Sequence, residues 1–493
     1  MRGARARVLL ALVAGAGLGP GCTALFPYPA DPVEQCANGH DDDRDHLTDA
    51  DDPDCAVYGA SCMDREVECH ARGLTCNTDG VCAASCTDTT CPAGWTCGTD
   101  RACACTPCVE RCNTRDDDCD GRIDETTCAA GETCTSGTCT CEGTPYYLAG
   151  GALDLLVVLD NSASMAGDQA RLRGDLEAAL RAFATGDMDA DGVRDFAPLD
   201  SIHVGVVVTD LGADALGLPS CEAGLGDDGV LGAGTLCPDM HVLEFDARRD
   251  VPATFASAAD CAFTIMNGCG ISQPLDAALK AISPPSATAW TAADYGPPTF
   301  RDMTSGHGGD GGFPREGSVL AVVVVTDADD CSVPRTSLFD RASPEFSGVD
   351  LQARCWSFPD QLQAIERYVR GFLALRRDPR DLIFGAITGI PPGSGTMPPE
   401  DLLARADMQQ VTDPASPSHR LVPVCTRVRA GAPNPLPADP ARRIVEVAQG
   451  IECGGGEIAL SSICDDDARG TFAAIFRALA GATDRRVCVH ASP

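Results

Sequence analysis

From about Thr144 onward, short apolar runs alternate with stretches whose apolar residues recur at helical spacing. Leu153-Asp154-Leu155-Leu156-Val157-Val158-Leu159 predicts a buried strand, and Leu172, Leu176, Ala179, Leu180 and Phe183 then mark one face of a helix. Ile202–Thr209 predicts a second strand and His241–Phe245 a short third. Pro274–Ile282 predicts a helix with proline in its first turn, where the missing N–H costs nothing. Val319–Thr326 is a nearly unbroken β-branched run, the pattern of a central strand covered on both faces. Leu362–Leu375 as helix, Leu382–Thr388 as strand and Thr471–Leu479 as a closing helix complete the alternation. Together these elements predict an α/β fold, a doubly wound and mostly parallel sheet, over residues 143–493.

The chain before that point is patterned differently. Arg2, Arg5 and Arg7 precede a short apolar run, Val8–Leu18, so residues 1–21 are expected to be a signal peptide. The run is too short to span a bilayer, and no later segment supplies the roughly 20 apolar residues a spanning helix needs. Leu18-Gly19-Pro20-Gly21-Cys22 resembles the lipobox of bacterial lipoproteins, in which the cysteine is lipidated. Here the leucine stands four residues before the cysteine, where that family usually has it three before. Residues 22–35 are then an anchor at Cys22 and a proline-rich tether.

Cysteine usage agrees with export. Of 29 cysteines, 28 remain once Cys22 is set aside: 18 between Cys36 and Cys141, and 10 from Cys221 to Cys488. Both groups are even, so each can pair internally, and such density belongs in an oxidising compartment. The eight histidines show no HxxxH or HExxH spacing that would favour zinc. Residues 36–142 form a cysteine-rich region with two kinds of repeat. One is a small module, Cys91…Cys97…Cys103…Cys105, returning as Cys128…Cys134…Cys139…Cys141 and, more loosely, as Cys69…Cys76…Cys82. It resembles EGF-like stalk modules and reads as a spacer, with ligand binding as the alternative. The other is acidic: Asp41, Asp43, Asp45 and Asp49 recur in the same register as Asp116, Asp118, Asp120 and Asp124. Carboxylates packed this closely repel unless a cation lies between them, so each copy is either a Ca²⁺ site or a solvated acidic loop pinned by disulfides. The second copy resembles a metal-binding repeat of large bacterial surface proteins, some linked to copper. Hard carboxylate ligands disfavour copper here.

The formal net charge of -35 excludes a nucleic-acid binder, which needs a basic footprint. Lys280 is the only lysine. Asp187-Met188-Asp189-Ala190-Asp191-Gly192, continuing to Asp195, begins like an EF-hand, but position twelve is Pro198. It resembles a short calcium loop of the thrombospondin type-3 or dockerin sort, with a plain acidic turn as the alternative. The glycine-rich run Gly306–Gly312 is expected to be a flexible surface loop.

The chemistry sits at predicted strand ends. The first strand runs into Asp160-Asn161-Ser162-Ala163-Ser164, a DxSxS, and the central strand into Thr326-Asp327. In open α/β sheets ligands bind beyond the carboxyl ends of strands, and converging acids and hydroxyls there suit a hard divalent ion. With these residues in this order, about 350 residues of the chain resemble the von Willebrand factor A-type (vWA) family. The resemblance implies that Asp160, Ser162 and Ser164 hold Mg²⁺ or Mn²⁺ at a metal-ion adhesion site, with Asp327 acting nearby. The family's loop threonine is absent from Gly268-Cys269-Gly270-Ile271-Ser272-Gln273-Pro274, and Ser272 is the substitute expected there. Asp329, Asp330 and Cys331 add to the rim, and together with the Gly268–Gly270 segment they resemble a bacterial vWA lipoprotein subgroup. The function implied is binding of a protein partner whose acidic residue completes the ion's coordination, on an exported cell-envelope lipoprotein of the outer membrane or cell surface. The alternative is a calcium-stabilised structural envelope protein with a non-functional adhesion site. No HExxH, GxSxG or P-loop motif points to an enzyme.

Overall fold

Every side chain of Val319–Val325 is buried, and alternate residues face opposite layers of the molecule. The computed structural model in which this is seen describes residues 108–465, apart from 116, 119–123, 125–131, 136–137, 142–143, 148–150, 195–197, 219, 222, 267, 286–297, 302–305, 415–419 and 429–434, together with the isolated strands 74–76, 82–84, 96–97, 103–104 and 486–489. The signal peptide, Cys22, the tether, the first acidic repeat (Asp41, Asp43, Asp45, Asp49), Asp116, Asp120, Asp195 and the expected helix Thr471–Leu479 lie outside the described residues.

The chain divides into two compact units, residues 1–105 with 120–123, and residues 106–119 with 124–493. In the larger unit β1 (Ala152–Leu159), β2 (Ser201–Val208), β3 (Leu243–Asp246), β4 (Val319–Val325), β5 (Leu382–Thr388) and β6 (Glu457–Ser462) form one sheet in the order β3-β2-β1-β4-β5-β6. All neighbours run parallel except β3, which pairs antiparallel with β2. The helices are α1 (Gln169–Thr185), α2 (Pro252–Ala258), α3 (Pro274–Ile282), α4 (Ile365–Leu373), α5 (Pro399–Ala404) and α6 (Arg442–Cys453).

The period-2 alternation of the strands divides the core. Leu153, Leu155, Val157 and Leu159 of β1 pack toward α1 and α2, whereas Leu156 and Val158 pack toward α3, α4 and α6. The result is a three-layer, Rossmann-like α/β fold, as the apolar pattern predicts. Asp154, the one charged residue in the β1 run, is buried against Arg315 Nε (2.7 Å) and Ser318 Oγ (2.8 Å). Not every predicted bound holds: the expected Leu362–Leu375 helix is shorter, because Leu362 and Ala364 are extended. Elements beyond the predicted ones include α2, α5, α6 and β6: Ile444, Val445, Ala448 and Ile451 line the buried face of α6, and the short apolar stretch of β6 forms an edge strand.

Among the described residues six disulfides occur: 108–453, 112–134, 221–269, 237–261, 331–355 and 425–464. Such bonding suits an oxidising, exported environment. No helix among the described residues is long and apolar enough to cross a membrane. Internal pairing of the two cysteine groups does not hold, since Cys108 of the first joins Cys453 of the second. Even parity permits internal pairing but cannot exclude a crossing. The junction is reinforced: Val109 N–H donates to the Cys453 carbonyl (2.9 Å), and Arg111 reaches Glu452 and Glu457 (both 3.0 Å). In each of the three cysteine modules two described strands pair antiparallel, in a register that sets Cys76 opposite Cys82, Cys97 opposite Cys103, and Cys134 opposite Cys139.

Residues Gly306–Gly308 do not form the expected flexible surface loop. A Cβ on Gly306 would lie 2.4 Å from Ser283, and one on Gly308 would lie 2.4 Å from the Ile282 carbonyl, so only glycine allows this close approach. His307 between them donates its N–H to the Lys280 carbonyl (2.8 Å), and its Nε2 lies 3.3 Å from Asp228 Oδ2.

Candidate metal centre

The parallel pairing of β1 with β4 brings their carboxyl ends side by side, and Asp160 N–H donates to the Val325 carbonyl (2.9 Å). Asp160 is buried, and both of its carboxylate oxygens are fixed. Oδ1 accepts from Ser162 N–H (2.8 Å) and Oδ2 from Thr326 Oγ1 (2.6 Å). Ser162 Oγ lies 2.9 Å from Ser164 Oγ, which donates to Asp327 Oδ1 at 2.9 Å. Asp160, Ser162, Ser164 and Asp327 therefore form one continuous polar line, from a buried acid to the exposed Ser164.

Ser272 is held beside this line by backbone links. Gln273 N–H donates to the Thr209 carbonyl (3.1 Å), Thr209 N–H to the Leu159 carbonyl (3.2 Å), and Cys331 N–H to the Ser272 carbonyl (2.9 Å). Gly268 N–H donates to the Asn161 carbonyl (2.7 Å), and a Cβ on Gly268 would fall 2.0 Å from Asn161 Nδ2. Ser272 is 4 % exposed, yet its Oγ has no hydrogen-bond partner among the described residues, and the same holds for Thr209 Oγ1. Buried hydroxyls are rarely left unpaired. Two such hydroxyls, in segments tied by backbone hydrogen bonds to each other and to the end of β1, are oxygen donors of the kind a hard divalent cation takes.

Thr209 was not singled out from the sequence, although a signal was present. Val206-Val207-Val208-Thr209-Asp210 repeats Val323-Val324-Val325-Thr326-Asp327. The two acids are used differently. Asp210 accepts Gly212 N–H (2.7 Å) and Cys269 N–H (2.9 Å), which fixes the loop carrying Ser272. Asp327 turns toward Ser164. No protein-family model matches the chain, and no characterised protein matches it in sequence. Solved structures similar to it include the conserved hypothetical protein BatB from Bacteroides thetaiotaomicron (12 % identity, 67 % of this chain and 98 % of that one, TM-score 0.25). The open form of the pilus adhesin SpaC from Lactobacillus rhamnosus GG is another (13 %, 39 % and 16 %, TM-score 0.19). A third is proximal thread matrix protein 1 from the mussel byssus (10 %, 50 % and 40 %, TM-score 0.19). At such TM-scores these likenesses carry no functional weight.

Arg427, which no motif marks, closes the inner side of the site. It lies in the hairpin of Cys425–Arg427 with Leu436–Ala438, which the Cys425–Cys464 disulfide staples beyond the end of β6. Its side chain is fully buried; Nη2 lies 2.9 Å from Asp327 Oδ2 and 2.6 Å from Asp168 Oδ2. Burial and the neighbouring Asp160 carboxylate push the Asp327 carboxyl up to about 6, against the pull of Arg427 and Ser164. Burial is the larger cause, and the part that comes from Asp160 is a repulsion that a cation between the two carboxylates would relieve.

The expected rim acids have other work. Asp330 Oδ1 accepts Leu275 N–H (3.1 Å) at the start of α3, and Asp329 Oδ1 accepts Arg443 N–H (3.1 Å) at the start of α6. Both carboxylates thus complete helix N-termini, where negative charge is favoured. Burial pushes Asp329 up to about 7, with Arg443 opposing it.

A second acidic group could also hold a metal ion. Carboxylate oxygens of Asp187, Asp189 and Asp191 lie within 4.8 Å of one another, just past the end of α1. The loop is wound around them: Gly192 N–H donates to Asp187 Oδ2 (2.9 Å), and Asp191 N–H donates to Asp189 Oδ1 (3.1 Å). In the second acidic repeat the described acids are not gathered in this way. Asp124 approaches Cys112 and Cys134, but those sulfurs form a disulfide and are not thiolate ligands. Asp124 Oδ1 already accepts from Asn113 N–H (2.6 Å) and Thr114 N–H (2.8 Å). Glu110, buried and unremarked in the sequence, organises the turn by accepting the N–H groups of Asp117 (2.9 Å), Asp118 (3.1 Å) and Asp124 (2.9 Å).

Proposed function

We propose that the larger unit is a vWA-type domain that holds Mg²⁺ or Mn²⁺ through Asp160, Ser162, Ser164, Ser272 and Asp327 and binds a protein partner by an acidic side chain. The observation that carries this reading is the unbroken line from Asp160 to Asp327 beside the unpartnered Ser272 hydroxyl. A bound divalent cation would supply a coordination position for the partner's carboxylate. The chain's own residues fix the rest. Thr326 and the Ser162 backbone lock Asp160, Ser164 sets one oxygen of Asp327, and Ser164 stands at the solvent side where a partner would arrive. The role is binding rather than catalysis, and the Asp187–Asp191 loop takes Ca²⁺ as a structural ion. The protein is anchored at Cys22 in the cell envelope.

A pull-down from the cell surface tests this reading, with wild type set against Asp160→Ala in Mg²⁺ and in EDTA. Capture of a partner that requires both Mg²⁺ and Asp160 is expected, with unchanged folding of the variant. Equal capture in EDTA would refute metal-dependent adhesion. For the anchor, Cys22→Ser should move the protein out of the membrane fraction, and persistence there would rule out lipidation.

A further inference from the structure

Arg427 is a permanent cation built into the inner wall of the candidate metal centre. Its guanidinium grips Asp168 through Nε (2.7 Å) and Nη2 (2.6 Å), donates to the Pro437 carbonyl through Nη1 (3.0 Å), and spends Nη2 on Asp327 Oδ2 as well. The hairpin that delivers it is held by the Cys425–Cys464 disulfide, so the charge cannot swing away easily. With no solvent exposure at all, it cannot touch a partner.

We propose, on the reading of this site as a divalent-metal centre, that Arg427 is a positioning and specificity-determining residue: it holds Asp327 in competition with the metal, keeps metal affinity low, and leaves the loaded site able to accept an anion. Two facts about the arrangement support this. Asp327 divides its two oxygens between Ser164 on the site side and Arg427 on the inner side, so a cation at the site draws on a carboxylate already half neutralised. Arg427 also places a positive charge directly behind Asp327. A metal-loaded centre is therefore less negative toward a partner carboxylate than it would be without Arg427, because charges at these separations interact strongly in a buried setting.

The test is titration of the full protein with Mn²⁺ alone, followed by calorimetry and by electron paramagnetic resonance; the isotherm lost in Asp160→Ala defines the site. Arg427→Gln should bind Mn²⁺ at least tenfold more tightly than wild type and, with acetate standing in for the partner's acidic group, should take up the anion more weakly. A residue that merely held the fold together would weaken Mn²⁺ binding when removed, so the sign of the change decides. Since Arg427→Gln removes the guanidinium that grips the buried Asp168 and can fail to fold, the double variant D168N/R427Q removes both charges together. It should still bind Mn²⁺ at least threefold more tightly, and it decides alone if the single variant does not fold. Unchanged or weaker binding in a folded variant, with Asp160 still required, overturns the role of Arg427 and leaves the metal site standing. Absence of any Asp160-dependent binding in wild type and variants alike overturns both.

Discussion

Ser272→Ala should have opposite effects on the metal-free and metal-loaded protein. Ser272 Oγ is buried without a hydrogen-bond partner among the described residues. An unsatisfied buried polar group costs about 1–3 kcal/mol, and alanine removes that cost while leaving only a small void, so a gain of about 1 kcal/mol is expected in EDTA. With metal, the same hydroxyl becomes an oxygen ligand. A ligand at 100 times its Kd stabilises the native state by about 2.7 kcal/mol; a site weakened tenfold gains only about 1.4 kcal/mol at the same concentration. The variant should therefore start higher and gain less. Urea unfolding of wild type and variant, each in EDTA and in excess Mg²⁺, yields the four free energies. If the variant loses more than about 1 kcal/mol in EDTA, or keeps the full Mg²⁺ gain, Ser272 is an ordinary structural hydroxyl and not a metal ligand.

Two further outcomes are expected. The hydrogen bond that the imidazole donates to Asp228, opposed by burial, holds His307 above its ordinary 6.5, so the charged imidazole stabilises the fold. That contribution is complete below about 6.5 and is lost as pH rises through the folded value; unfolding curves across neutral pH should show the loss in wild type and not in His307→Gln. Asp189→Asn relieves repulsion at the negative end of α1, so it should raise stability by a few tenths of a kcal/mol without divalent ions and remove most of the Ca²⁺-specific gain. A Ca²⁺ gain equal to that of wild type would show the loop to be a plain acidic turn.

The three-layer fold was legible because β1 and β4 announce burial on both faces through their apolar runs. The DxSxS and its distal aspartate were legible for the same reason: their positions follow from the strand ends. Arg427 was not, since it lies 100 residues from Asp327 in a two-stranded hairpin with no periodic pattern, and only tertiary packing brings it to the site. Thr209 was readable from the repeated Val-Val-Val-Thr-Asp, but such a repeat gains meaning only once β2 is known to lie beside β1. Gly306–Gly308 misled because glycine signals both freedom and close approach, and here the backbone packs against the end of α3. Local acidity at Asp329 and Asp330 likewise cannot distinguish a ligand from a helix cap.

The Cys108–Cys453 bond sets how the larger unit bears tension. A pull from the N-terminal side of Cys108 passes straight through the sulfur bridge into the end of α6, beside the start of β6. β1 is then not drawn out by the chain that precedes it. Force instead arrives at the amino-end edge of the parallel sheet, the edge opposite Asp160 and Asp327. Reduction of this one bond would reroute the load along the chain and into β1, whose last residue leads directly into the DxSxS.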